Sequence, residues 1–220
     1  MTHFSDGVRE GRNFANNGTA SEPGVRISPI NVYNVVPIAL VTNGICAQQT
    51  LAAAGNALLN GSLASGGTVT LDVPRNVIID AAGAATAVLT VTGTDTYGLP
   101  MSEAITLNGT TAVAGKKAFK TITRIAASAA ATDFFVGTGD VFGLPIRANS
   151  RNYVLTAWNG AFVTTGTFVV ADATAATTTT GDVRGTYAVP DAADAAKRLT
   201  LWVFVFDDDT QAGLYGVPQA

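Results

Sequence analysis

The feature that most constrains this chain is its punctuation. Short runs of Thr, Val, Ile and Phe are cut by Gly, Asn, Asp or Pro roughly every eight to twelve residues, the rhythm of many short strands. From Thr68 the run TVTLDV alternates and stops at Pro74, NVIID follows, and TAVLTVTGTD breaks at Gly93. TDTYGLP then reads as a turn before EAITL, so this stretch predicts an antiparallel hairpin. AFKTITRI is a further alternating run, expected to place Phe119, Thr121, Thr123 and Ile125 on one face. DFFVGTGDVFGLPI predicts two short strands around Gly137 and Gly139. NYVLTAWNGAFVTTGTFVVAD predicts two strands turning at Asn159-Gly160, a strong hairpin dipeptide. ATAATTTTGD reads as a loop, VRGTYAV as a strand, and Pro190 to Arg198 as room for one helical turn. The run Leu199 to Phe206 is the most apolar in the chain and is expected to be central in a sheet. Trp202 and Phe204 share one of its faces, Val203 and Val205 the other. A strand apolar on both faces is covered on both, by a second sheet or by a partner subunit.

No long segment keeps a 3.6-residue period. LAAAGNALLNGSLASGG is rich in alanine, but Gly55, Asn60, Gly61, Gly66 and Gly67 argue against a helix, and residues 56–60 are read as a short strand. INVYNVVPIALV is β-prone and interrupted by Pro37, which favours an edge strand or a bulge. Residues 1–29 have no period and are read as an extended arm, anchored by Phe4, Phe14, Val25 and Ile27. The expected fold is all-β: an antiparallel β-sandwich or jelly-roll-like barrel with an extended N-terminal arm. Residues 1–43 hold the arm and first strand, and residues 44–220 the sandwich domain.

Only 13% of residues are charged, about half the usual share, while 47% are apolar. Such a surface is easier to understand if much of it meets other protein. The net charge is −3, and the densest basic group is Lys116, Lys117, Lys120 and Arg124, read as a solvated strand face. Without a cluster to neutralise phosphates, nucleic acid is not an expected partner. No apolar run approaches the ~20 residues of a membrane helix, and the first twelve residues lack the apolar core of a secretory signal, so no membrane partner is expected.

Catalytic constellations are not visible. The single histidine, His3, stands in the irregular N-terminal segment, a poor place for a base that packing must hold. The single cysteine, Cys46, excludes an internal disulfide and a thiolate metal cluster. Asp207, Asp208 and Asp209 lack the spacing of a calcium loop and are read as a solvated turn. Asp95 and Glu103 flank a hairpin, and are read as surface charges rather than a glycosidase pair. Phosphate-loop spacing is absent. Trp158, beside Asn159-Gly160, is the one candidate for an exposed glycan-stacking aromatic, against a core role. No catalytic, cofactor-binding or metal residue is assigned, and no enzyme activity is expected.

Several stretches carry a resemblance. Val73-Pro74-Arg75-Asn76-Val77, Val91-Thr92-Gly93-Thr94-Asp95, Gly115-Lys116-Lys117-Ala118-Phe119-Lys120-Thr121, Gly137-Thr138-Gly139-Asp140 and Gly143-Leu144-Pro145 look like a module of β-rich virion structural proteins of tailed bacteriophages. The likeness spans roughly residues 44–220 and is nearest to capsid cement or decoration proteins. It implies a homotrimer on the capsid surface of a virion, bound to the major capsid protein and stabilising joints between its subunits. Phe4, Phe14, Val25 and Ile27 would be the capsid-docking anchors. A tail, adaptor or fibre-associated virion protein, or a glycan-binding surface module, is the alternative.

Overall fold

The computed structural model describes residues 30–148, 150–151, 154–172, 177–204 and 219. Within them the chain is all-β, as its punctuation predicts, and every pairing between its strands is antiparallel. The strands in chain order are β1 (Ile30–Val35), β2 (Cys46–Leu51), β3 (Gly55–Asn56), β4 (Ala64–Ser65), β5 (Thr68–Ala81), β6 (Val88–Thr94), β7 (Pro100–Thr106) and β8 (Val113–Ala114). They continue with β9 (Phe119–Ala127), β10 (Ala131–Gly143), β11 (Val154–Trp158), β12 (Ala161–Phe162), β13 (Thr167–Val169), β14 (Thr186–Ala188) and β15 (Leu199–Phe204).

A large curled sheet runs β13-β14-β10-β5-β9-β6-β7, with β2 beside β10, β3 beside β9, and β4 and β8 beside β5. Curling lets one face close on itself, and that face holds the main core: Val77, Ile79, Leu89, Val91, Phe119, Ile122 and Phe134 among others. A small sheet runs β1-β15-β11-β12. Its inner face packs Val154, Trp158, Leu199, Leu201 and Val203 against Val73 of β5, Phe142 of β10 and Tyr187 of β14, forming a second core. The apolar strand Leu199–Phe204 is therefore central, between β1 and β11, as expected. β1 forms one edge of the small sheet.

Two expected strand breaks are absent. β5 runs straight through Pro74 for 14 residues. Pro74 sits where the ladder to β9 skips from Thr70 to Arg75, so its missing N–H interrupts no continuous run of bonds. β10 likewise passes through Gly137 and Gly139 as one 13-residue strand. Gly137 is there because a Cβ would stand 2.2 Å from Thr42 O, where the connection from β1 crosses the strand. β9 also departs from simple alternation. Ile122 and Ile125, three positions apart, are both buried while Thr123 between them is exposed, because the pairing with β6 shifts between Arg124 and Ile122. One extra residue in β9 moves the side chains after it to the opposite face. Residues 57–60 and 190–198 form neither the strand nor the helical turn expected of them. The segment after Pro190 is instead fixed by Asp194, which accepts hydrogen bonds from the Ala196 and Lys197 amides.

Candidate docking surface

The register of the small sheet sorts its side chains into two faces. Tyr33 and Thr156 flank Leu201, and Val35 and Trp158 flank Leu199, on the inner face. Val32 and Leu155 flank Trp202, and Phe162 sits across from Ala157, on the outer face. None of the four strands contains a charged residue. Period-two alternation normally gives such a sheet a polar outer face. Here that face carries Phe162, Val32, Ile30 and Leu155, which are 75%, 59%, 52% and 47% exposed. Phe162 leans on half-buried Trp202 with ring centroids 5.4 Å apart and an interplanar angle of 34°. Singly exposed apolar residues mean little, but a contiguous, uncharged group of this kind marks an interaction surface. Among the described residues, no strand pairs with the free edge of β1, and none of the charged or proline blocks that protect edges falls within it. A guanidinium stands at the rim, where Arg198 Nη1 donates to Asn34 Oδ1 over 3.4 Å.

Lys116 and Arg124 are exposed, as the reading of a solvated basic face expects, but most of the other polar groups singled out by sequence are consumed inside the fold. Asp95 and Glu103, read as surface charges, are both buried. Asp95 accepts hydrogen bonds from the amides of Tyr97 and Leu99, closing the β6–β7 turn, and its other oxygen lies 2.7 Å from Arg184 Nη2. Glu103 pairs across the hairpin with Val91 rather than Asp95, and its carboxylate accepts the Lys116 and Lys117 amides. Burial pushes the Glu103 carboxyl above its ordinary range despite those bonds. Lys117 alone of the four basic residues overturns the reading of a solvated face: it is fully buried, and its ammonium donates to the carbonyls of Thr177 and Gln219 at 2.7 and 2.5 Å. Burial lowers its pKa and raises that of the neighbouring Asp182. Lys120 donates to Leu71 and Asp72 carbonyls. The sequence could signal the turn roles of Asp95 and Gly98, but the lysine's target, 102 residues away, has no local signature.

Trp158 is a core residue. It is buried against the second core, and its indole N–H donates to Asp191. Asn159 and Gly160 form the expected tight hairpin turn, both with positive φ, 51° and 82°. Phe4, Phe14, Val25, Ile27 and His3, and Asp207 to Asp209, lie outside the described residues. Among the described residues, no three His, Cys, Asp or Glu side chains gather as metal ligands. Searches against family models, curated proteins and solved structures found no match. The outer-face residues Ile30, Val32, Leu155 and Phe162 were not singled out from sequence. The signal available for them is the uncharged composition of all four strands, together with the two-faced apolar run of β15.

Proposed function

We propose that this chain is a non-catalytic structural protein of a tailed-phage virion, a cement or decoration protein on the outside of the head. The observation that supports this reading is the uncharged, apolar outer face of the small sheet, the kind of contiguous patch that marks an interaction site. The sequence likeness described above supplies the kind of assembly, and the scarcity of charge across the chain agrees with a protein that spends its working life against others. In this reading the protein bridges major capsid subunits, with Phe4, Phe14, Val25 and Ile27 as capsid anchors, and works as a homotrimer. Cement acts by adding interface area across joints, and many copies multiply a modest gain per site.

The test is the copy number in purified virions, read by quantitative mass spectrometry against the major capsid protein. One copy per capsid subunit, or one third of that, is the expected result. A dozen copies or fewer per particle would move the protein to the tail or its adaptor, and absence from virions would overturn the reading.

A further inference from the structure

We infer that the outer face of the small sheet is an interface between copies of this chain, packed sheet on sheet through Ile30, Val32, Leu155, Phe162 and Trp202. This goes beyond the virion reading and stands without it.

Three observations select a second copy as the occupant. The first is charge. The chain carries a net −3, yet β1, β11, β12 and β15 contribute no charged residue. The strands of this face offer a foreign partner no charge pattern to recognise and meet their own image with no like-charge contact among their own side chains, the Arg198 guanidinium standing only at the rim. The composition of the face is that of a homo-oligomer core, where charge is depleted and aromatics are enriched. The second is area. The five side chains expose roughly 400 Å², within the range of the largest patches on ordinary monomers. Two opposed faces of that size bury about 800 Å², at the low, transient end of protein–protein interfaces. The third is shape. The face is an antiparallel sheet whose inner side already packs on a core at close spacing. A second sheet laid on its outer side gives the layered packing that sheets adopt, about 10 Å apart with interdigitated side chains. Phe162 stands out at one margin of the face and the smaller Ile30 and Val32 line the other, since β12 and β1 are opposite ends of the strand order.

The test uses the full chain at micromolar concentration, with size-exclusion chromatography coupled to light scattering. A face that meets its own image builds pairs, so the expected mass is twice the 22.4 kDa of one chain, or six times it where trimers pair through this face. Phe162→Asp and Leu155→Asp should each weaken association at least tenfold and expose Trp202 to acrylamide quenching. Because both side chains already meet solvent, the circular dichroism and melting temperature of the dissociated variants should stay within the spread of ordinary surface substitutions. A control variant carries serine at positions 4, 14, 25 and 27 and leaves the face intact; it should associate like the parent. A parent that stays monomeric, an oligomer that survives both aspartates, or an oligomer lost in the serine variant would each overturn the inference. Self-association through this face by a protein absent from virions would leave the inference standing and remove only the capsid reading.

Discussion

Buried Arg75 and half-buried Asp140 form an ion pair, Nη2 to Oδ1 at 2.6 Å, at the junction between the two cores. The rest of the guanidinium is satisfied by Gly139 O, Ile38 O and Asp72 Oδ1, and it lies over the ring of Phe142. The second oxygen of Asp140 accepts the Ala193 amide. One side chain thus ties β5, β10 and the connection leaving β1, and Asp140 extends the tie to the segment before β15. Since the small sheet reaches the large one through these connections, the pair fixes where the outer face is presented.

Arg75→Met should therefore destabilise the protein by about 3 kcal/mol, because it strips several acceptors of their donor and leaves a partly buried carboxylate unpaired. Asp140→Asn, which keeps an acceptor and leaves Arg75 its other partners, should cost less than half as much. Urea denaturation of both variants checks the order. Equal losses would mean that the ion pair, rather than the carbonyl set, dominates.

Cys46 is fully buried at the start of β2, and burial pushes its thiol up to about 12. The thiolate is the reactive species, so at pH 8 the folded protein should be inert to a disulfide reagent over the time in which an unfolded chain reacts completely. Labelling should follow the urea unfolding curve. Stoichiometric reaction in buffer alone would mean that β2 opens locally.

Glu103 gives a pH dependence of unusual sign. A carboxyl whose folded pKa is raised contributes stability that is fully present below its unfolded value, near 4.5, and lost as pH rises through the folded value. The stability difference between the parent and Glu103→Gln should therefore fall as pH rises from about 4 to 7. Asp182, also raised by burial, is present in both proteins, so the comparison isolates Glu103. Denaturant melts across that range check it. A difference that grows with pH would show that the Lys116 and Lys117 amides outweigh desolvation.

Much of the fold was legible because it is written in short-range chemistry. The Asn159-Gly160 turn, the β6–β7 hairpin and the apolar Leu199–Phe204 strand each follow from residues adjacent in sequence. What escaped depends on partners far away. Pro74 looks like a strand end until β9 is seen to skip past it, and Thr123 looks inward-facing until the bulge against β6 is known. Lys117 reads as a surface charge because its acceptors, Thr177 and Gln219, lie 60 and 102 positions away. The candidate site was half legible. The run at β15 announced two faces to cover, but the strands that share its outer face, β1 and β11, join it from distant parts of the chain.

At Gly93, as at Gly137, backbone proximity rather than conformation demands glycine. Gly93 lies in β6 opposite the β9 bulge, and a Cβ built there would stand 1.8 Å from Thr121 O and 2.9 Å from Ile122 Cα. Both atoms are backbone, so no side chain can swing aside. Gly98 offers the contrast: it sits in the β6–β7 turn at φ 79° with nothing within 4 Å of the same position. Gly93→Ala should then cost about 3 kcal/mol or more by forcing two paired strands apart. Gly98→Ala should cost only the left-handed penalty of about 1–2 kcal/mol. Thermal and urea denaturation of the two variants separate the mechanisms. If Gly93→Ala proves the milder, the close approach of β6 and β9 is not a fixed feature of the native sheet, and the bulge that sorts Ile122 and Ile125 into the core would need another cause.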